Sequence, residues 1–156
     1  MIHPIDPTYS EESEILILGS FPSVRSRETG YFYGHPQNRF WKVLAALFNE
    51  EVPLGNDEKK AFLLRHHIAV WDVIRECSLS GSSDSSIRDV VPNDLKEIIH
   101  HSRISRIYCN GTTAYRLFQK YQKDLSGIKV FLLPSTSAAN AAYSLERLKE
   151  KWKIIL

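Results

Sequence analysis

Two polar segments that each follow an apolar run have residue types suited to ligand binding. The first, Gly19–Ser23, begins with a glycine, which lets a backbone approach a ligand closely, and carries two serines whose hydroxyls and amides can bind phosphate. The second, Leu132–Asn140, passes from leucine into Ser135, Thr136 and Ser137 ahead of a helical pattern, an arrangement that can bind phosphate at a helix N-terminus. Neither has a P-loop or a GxGxxG sequence, and ordinary turns explain both equally well.

A third segment, Tyr31–Trp41, places three adjacent aromatic residues ahead of a proline and the start of a helix. Three consecutive aromatic residues cannot all face a core, and a ring that projects into solvent is a stacking platform for a nucleic-acid base. The alternative is that Asn38 caps the helix, Phe40 and Trp41 enter the core, and the tyrosines pack beside them. Residue types alone favour this alternative.

The histidines and cysteines form no recognisable metal or disulfide pattern. The six histidines include two adjacent pairs, His66-His67 and His100-His101, and adjacent residues point apart on a helix. Cys77 and Cys109 are too few for a Cys-only metal site or a disulfide framework. Cys109 also ends a predicted buried strand, which disfavours it as a nucleophile. We therefore predict a protein of a reducing compartment, with no metal site and no cofactor.

Size and composition are those of one ordinary globular domain. The 156 residues are 43% hydrophobic and 24% charged, and we predict a single domain over residues 1–156. A net charge of +2 does not by itself indicate nucleic acid, so such a partner requires clustered charge or polar contacts. No apolar run approaches the ~20 residues of a membrane span, and the N-terminal residues lack a signal-peptide pattern. These features predict a cytoplasmic protein that has no membrane partner.

Apolar runs of strand length alternate with helical patterns along the chain. The predicted strands are Glu14–Leu18, Ile68–Val73, Ile104–Cys109 and Lys129–Leu133. The helical patterns cover Phe40–Phe48, Asp57–His66, Asn93–His100 with Asn93 as N-cap, Thr112–Tyr121 and Tyr143–Trp152. The Ser-rich segment Ser78–Ser86 is predicted to be a surface loop. The alternation indicates an α/β fold with a parallel sheet covered on both faces, whose ligands bind beyond the carboxyl ends of the strands.

Together and in this order, these segments resemble the uracil-DNA glycosylase superfamily. Its first motif, G-x-x-P after the first strand, matches Gly19–Pro22, and its Pro-Ser loop matches Pro134-Ser135. The stretch Tyr33–Val43 is similar to the mismatch-specific uracil-DNA glycosylases and more similar to family 6, the hypoxanthine-DNA (deoxyinosine) glycosylases. Other segments that fit this family are Trp71–Ile74 with Cys77, Gly81–Asp84, Asn110-Gly111 and Leu133–Ser137. The resemblance implies a three-layer α/β/α sandwich with four parallel strands in the order 2-1-3-4.

The resemblance also implies an activity, that of a monofunctional DNA glycosylase in base excision repair. Such a hydrolase cleaves the N-glycosidic bond of a deaminated base that is flipped out of the stack, with hypoxanthine as the first candidate. The partner is DNA that contains the damaged base, and we expect a nucleoid-associated monomer with no obligate protein partner. Two alternatives share the fold: a uracil-preferring glycosylase of the mismatch-specific type, and a noncatalytic nucleic-acid-binding protein.

Three departures from better-known relatives bear on the catalytic residue. Phe21 stands where the mismatch-specific enzymes have a catalytic Asn, no Asp follows Gly19, and Leu133 replaces a His of the second motif. The resemblance to the deoxyinosine family instead assigns catalysis to Asn38. Its amide oxygen is expected to hold the water that attacks the sugar.

The other site residues are assigned by their places in the three segments. Around the flipped base we expect Phe21 as a pocket wall, Tyr33 as the stacking ring with Phe32 as second candidate, and Asn110 at the base edge. Contacts to the DNA backbone and sugar are expected from Gly19, Ser20, Ser23, Ser135, Thr136 and Ser137. A local positive patch is expected from Arg25, Arg27 and Arg39.

Overall fold

Four parallel strands form the central sheet of the computed structural model, which describes residues 2–78, 88–122, 125 and 127–156. They are β1 (Ile15–Gly19), β2 (Ile68–Asp72), β5 (Arg106–Asn110) and β6 (Lys129–Leu133). Their order is β2-β1-β5-β6. This is the 2-1-3-4 order expected for the four apolar runs, so the predicted sheet is confirmed.

Helices cover both faces of this sheet, as the alternation of buried side chains requires. Along β1, Ile15 and Ile17 pack into one core cluster, while Leu16 and Leu18 pack into the other. The first cluster is completed by α2 (Phe40–Leu47), α3 (Asn56–Arg65) and α6 (Leu145–Trp152), and the second by α4 (Leu95–His100) and α5 (Thr112–Tyr121). The predicted three-layer α/β/α sandwich is therefore confirmed.

Some elements have no counterpart in the sequence prediction. A short helix, α1 (Val24–Thr29), follows the first polar segment. Strands β3 (Ile74–Ser78) and β4 (Arg88–Pro92) pair antiparallel as a separate two-stranded sheet. Of the predicted loop Ser78–Ser86, residues 79–86 lie outside the described residues, as does the segment Gly81–Asp84 of the family resemblance.

The predicted cap of α4 is wrong by one residue. The side chain of Asp94, not Asn93, accepts a hydrogen bond from the Lys96 amide and caps the helix. Asn93 is buried, and its Nδ2 donates to the carbonyls of Asp72 and Ile74 at 2.8 and 3.1 Å. These two carbonyls would otherwise be buried without a donor. Asn93 therefore stabilises the turn between β2 and β3.

The N-terminal segment runs along the outer edge of β2. Thr8 pairs with Val70, and the His3 amide donates to the Arg75 carbonyl at 2.6 Å. This path brings the His3 side chain to Asp72, the last residue of β2, where only 2% of it is exposed. Within the described part of the chain, no helix is long and apolar enough to cross a membrane.

Candidate active site

A polar pocket of about 160 Å³ lies at the carboxyl ends of the parallel strands. It forms there because Gly19 and Asp72 end β1 and β2 in register, and Asn110 ends the next strand along the sheet. The pocket is lined by Gly19, Ser20, Phe21, Pro22, Ser23, Ser26, Phe32, Tyr33, Asn38, Asp72, Asn110, Ser135, Thr136 and Ser137. The structure thus brings together every residue assigned to the site from the sequence, and adds Pro22, Ser26 and Asp72.

Asn38 lies at the start of α2 and combines a capping bond with a place in the pocket. Its Oδ1 accepts hydrogen bonds from the Phe40 amide at 3.0 Å and from the Thr136 hydroxyl at 2.8 Å. Both donors reach the same atom, so the amide orientation is determined and Nδ2 is the group left for a ligand. The oxygen expected to hold a water is already engaged twice.

Thr136 connects Asn38 to Asn110 beneath the second polar loop. The backbone amide of Thr136 donates to Asn110 Oδ1, and Asn110 Nδ2 donates to the Thr136 hydroxyl, both at 3.0 Å. The Thr136 hydroxyl in turn donates a hydrogen bond to Asn38 Oδ1 at 2.8 Å. This chain ties three segments that are far apart in the sequence into one rigid arrangement, as preorganised sites require.

Tyr33 has an unusual backbone and an unpaired hydroxyl. Its φ is +54°, in the left-handed region that bulky residues seldom adopt. The ring stacks on Phe40, with centroids 4.0 Å apart and planes 18° apart. Its Oη is buried and has no hydrogen-bond partner among the described residues. Burial and the nearby Asp72 carboxylate raise the pKa of Tyr33 far above its ordinary value, so the phenol keeps its proton.

Asp72 is the acidic group of the pocket, and His3 holds it in place. Asp72 is 4% exposed, and its Oδ2 lies 2.7 Å from His3 Nε2. The other ring nitrogen, Nδ1, accepts a hydrogen bond from the Ile5 amide at 3.1 Å. A nitrogen that accepts carries no proton, so His3 is the neutral tautomer that donates from Nε2. The bond from His3 occupies Oδ2, and Oδ1 is the oxygen that lies beside Gly19.

Glycine is required where the strand ends come close together. A Cβ on Gly19 would overlap Asp72 Oδ1 and lie 3.1 Å from Tyr33 Oη. Gly111 has a φ of +99°, and a Cβ there would lie 3.1 Å from the Ser135 side chain. Without side chains at these positions, the polar groups of neighbouring loops converge on one small space.

A wider groove adjoins the pocket at its mouth. The two share Ser23, Asn38 and Ser137, and the groove continues past Arg25, His35, Gln37 and Ala138 over a volume of about 600 Å³. Arg25 lies on the first turn of α1, and its side chain is 54% exposed. The groove is larger than the pocket and is lined by polar and charged side chains.

The family model for the uracil DNA glycosylase superfamily matches residues 7–156. The chain belongs to the uracil DNA glycosylase superfamily. In this superfamily chain the motif loops and Asn38 line one pocket.

No group of three or more His, Cys, Asp or Glu side chains that could hold a metal ion is present among the residues that the structure describes.

Individual relatives match nearly the whole chain. A protein of Methanosarcina acetivorans named hypoxanthine DNA glycosylase is 38% identical over 151 residues, which cover 93% of this chain and 91% of the relative. A protein of the same name from Methanosarcina barkeri is 32% identical over 152 residues, 94% of this chain and 92% of the relative. The solution NMR structure of a candidate uracil DNA glycosylase from M. acetivorans superposes with a TM-score of 0.82 at 32% identity, over 99% of this chain and 96% of that one.

Within this glycosylase fold, two aromatic residues differ from their expected roles. Phe32 is 2% exposed and packs in the core beside Tyr31, so it cannot project as a stacking ring. Tyr33 is stacked on Phe40, and its hydroxyl is at the pocket. Phe21 lines the pocket as a wall, with its ring edge against His3 at 5.6 Å and the Arg27 guanidinium 5.8 Å away.

Thr136 and Arg39 also differ from expectation, because the protein already uses their polar groups. Thr136 is 1% exposed and engaged with Asn110 and Asn38, which leaves nothing for a phosphate. The Arg39 guanidinium donates to the carbonyls of Ser137, Asn140 and Tyr143. Arg39 thus folds the second loop and does not belong to a free positive patch.

Asp72 is the site residue that sequence reasoning missed. It ends an apolar run, and an ionisable residue predicted to be buried is a signal of function. The run was interpreted as strand alone because nothing in the sequence places His3, 69 residues earlier, against that carboxylate.

Both thiols are expected to resist alkylation in the native protein. Cys77 and Cys109 are buried, and burial raises the pKa of each thiol, that of Cys109 to about 12. A raised pKa keeps the thiol protonated at neutral pH, and the thiolate is the nucleophile. Iodoacetamide treatment followed by mass spectrometry should show modification only after unfolding. Rapid labelling of native Cys109 with loss of activity would make it a catalytic candidate.

Proposed function

We propose that this chain is a monofunctional DNA glycosylase that removes hypoxanthine from DNA. The observation that carries the proposal is the convergence of both motif loops and Asn38 on one small polar pocket beside a groove. The Methanosarcina relatives named hypoxanthine DNA glycosylase support the substrate. The enzyme acts in the cytoplasm as a single-domain monomer on DNA that carries the flipped base in the pocket.

In the proposed reaction, water attacks C1′ of the sugar as the bond from C1′ to N9 of the base breaks. The bonding electrons leave on the base, and the proton of the water is passed to the base or to solvent. Asn38 Nδ2, which has no hydrogen-bond partner among the described residues, donates to the attacking water and leaves a lone pair of that water directed at C1′. An amide cannot remove the proton strongly, so the reaction depends on a base that leaves readily as an anion, as hypoxanthine does.

The assay uses duplex oligonucleotides that carry one hypoxanthine, one uracil or only normal bases. Alkaline cleavage of the abasic product reports excision, and EDTA is present throughout because no step assigns a role to a metal. We expect cleavage at hypoxanthine and none at adenine. Cleavage that requires an added divalent ion would contradict the mechanism, and binding without any cleavage would identify a noncatalytic protein.

A uracil preference is the second candidate. The name of the M. acetivorans NMR structure favours it, as does the pocket, which is small enough for a pyrimidine. The same assay separates the two, because single-turnover rates on hypoxanthine and uracil are compared directly.

Affinity for DNA should fall as salt rises, despite the net charge of +2. Phosphate contacts release condensed counterions whatever the total charge of the protein. Arg25 borders the groove and is exposed, so Arg25→Ala should lower the slope of log affinity against log salt by about 1. Titration of a fluorescent duplex at several salt concentrations measures this slope, with Arg75→Ala, an exposed arginine that does not line the groove, as control. An unchanged slope for Arg25→Ala would place the backbone elsewhere.

A further inference from the structure

Two oxygen atoms of different hydrogen-bonding character meet at the inner end of the pocket. A point built at the Cβ position of Gly19 lies 3.1 Å from Tyr33 Oη and within overlap distance of Asp72 Oδ1. The carboxylate oxygen only accepts hydrogen bonds, whereas the phenol has a proton to donate. Both oxygens therefore lie beside Gly19 in the pocket lining, and a ligand edge that reaches this end of the pocket meets an acceptor and a donor side by side.

His3 determines which oxygen of the Asp72 carboxylate is left for a ligand. Its Nε2–H donates to Oδ2 while Nδ1 is occupied by the Ile5 amide. The other carboxylate oxygen, Oδ1, is the one beside Gly19. Among the described residues Oδ1 has no such donor, so it can accept a hydrogen bond from a ligand.

Tyr33 has two unfavourable features that are both explained by a ligand. Its hydroxyl is buried with no partner among the described residues, and such a group costs desolvation energy. Its backbone is held at a φ of +54°, which strains a bulky residue. The ring is held by Phe40 in the one orientation that directs the hydroxyl into the pocket.

The position of the mouth decides which part of a nucleotide reaches these atoms. Asn38, Ser23 and Ser137 belong to both the pocket and the outer groove, so the sugar and backbone lie there. Asp72 and Tyr33 line the pocket and not the groove. A base attached through its glycosidic nitrogen therefore presents its far edge to them, which in a purine is the N1–C6 edge.

We propose that Asp72 and Tyr33 together recognise the adjacent N–H and carbonyl groups of the flipped base, its lactam edge, and so distinguish hypoxanthine and uracil from adenine and cytosine, the bases from which they arise by deamination. Guanine and thymine carry the same edge, so this pair does not exclude them. Asp72 Oδ1 accepts the ring N–H of the lactam, and Tyr33 Oη donates to the adjacent carbonyl oxygen. Adenine, held in the same rotation by its glycosidic bond, places a ring lone pair against the carboxylate and is rejected. Uracil presents the same N–H and carbonyl pair, so the device recognises a class of bases. This inference rests on the proposed function.

Tyr33→Phe tests the donor without risk to the fold. The hydroxyl makes no hydrogen bond of normal geometry to the described residues, although the Asn110 side chain lies near it, so its removal should change the melting temperature little. Single-turnover excision of hypoxanthine should fall about tenfold, since a buried carbonyl then lacks its donor. The matched control is Tyr31→Phe. Its hydroxyl bonds to Thr8 at 2.5 Å and does not line the pocket, so that change should lower stability and leave excision unaltered.

Asp72→Asn tests the acceptor by putting a hydrogen-bond donor in its place. The His3 Nε2–H requires an oxygen opposite it, so the new amide turns its NH2 toward the base. This group clashes with a lactam N–H and matches the ring lone pair of adenine. The readout is binding to duplexes that carry 2′-fluorinated, uncleavable inosine or adenosine. The ratio of the two affinities should shift toward adenosine at least ~10-fold. Asp94→Asn, outside the pocket, is the control.

The outcomes separate this inference from the proposed function. If the wild-type protein excises neither hypoxanthine nor uracil, the proposed function fails. If the wild-type protein excises hypoxanthine and Tyr33→Phe keeps the wild-type rate, the reading of the edge by Tyr33 is overturned. An unchanged inosine-to-adenosine ratio in folded Asp72→Asn overturns the role of Asp72. Should Asp72→Asn not fold, Tyr33→Phe alone decides.

Discussion

Asn38→Ala is expected to slow single-turnover excision of hypoxanthine at least ~100-fold while the protein remains folded. The change removes the Asn38 amide group, which lies at the pocket mouth and is assigned to orient the attacking water. It also removes the oxygen that accepts from the Phe40 amide and the Thr136 hydroxyl, so stability should fall by about 1 kcal/mol, as for a lost helix cap. Rapid-quench excision assays and urea unfolding measure the two effects separately.

Asn38→Asp tests the role of Nδ2 more specifically than Asn38→Ala, because it keeps the oxygen and replaces only the NH2 group. A carboxylate oxygen still accepts from Phe40 and Thr136, so the cap and the Thr136 contact survive. Only the donating Nδ2 is replaced by an acceptor. We expect measurable excision, slower than wild type and faster than Asn38→Ala. Asp94→Ala, which removes the cap of α4 outside the pocket, should cost similar stability and no activity.

A different combination of stability and excision rate would show that Asn38 only caps α2. If Asn38→Ala lowers the melting temperature but leaves excision within ~3-fold of wild type, the residue is only a cap. The catalytic polar group would then be sought at Asn110 or in the loop Ser135–Asn140.

Arg39→Met is expected to destabilise the protein by about 3 kcal/mol and to weaken DNA binding as a consequence. The guanidinium donates to the carbonyls of Ser137, Asn140 and Tyr143. Its Nε also donates, at 3.4 Å, to the Thr136 carbonyl, which accepts from the Arg39 amide at 3.0 Å as well. Without the side chain those three carbonyls lose their donor, and the loop that carries Ser135 and Ser137 loses its shape. Urea unfolding and duplex titration measure the two effects.

Arg39→Lys and Arg25→Met complete the comparison. An ammonium is a compact charge that cannot reach three separated carbonyls, so Arg39→Lys should recover only part of the stability. Arg25 is exposed, so Arg25→Met should change stability by less than ~0.5 kcal/mol and weaken DNA binding directly. If Arg39→Met has wild-type stability and only a smaller salt slope, Arg39 contacts phosphate after all.

Local patterns in the sequence predicted the strands, the helices and a parallel sheet covered on both faces, and the family resemblance supplied the strand order 2-1-3-4. Apolar runs of strand length ended in glycine, asparagine or proline, and helical patterns lay between them, so the carboxyl ends of the strands had to share an edge. This rule placed Gly19, Asn110 and Ser135 at one edge of the sheet, and the family resemblance added Asn38; all four residues line the pocket. The sequence thus indicated which residues lie near one another, but not what each side chain does there.

Only the tertiary structure decided what each polar group does in that place. Arg39 and Thr136 have the residue types of phosphate contacts, but their donors are consumed by carbonyls and amides about 100 residues away in the chain. Asp72 became a site residue because His3, brought along the edge of β2, holds its carboxylate, and Tyr33 because stacking on Phe40 directs its hydroxyl inward. Hydrogen-bond partners of this kind depend on distances between remote segments, and no local pattern of residue types encodes those distances.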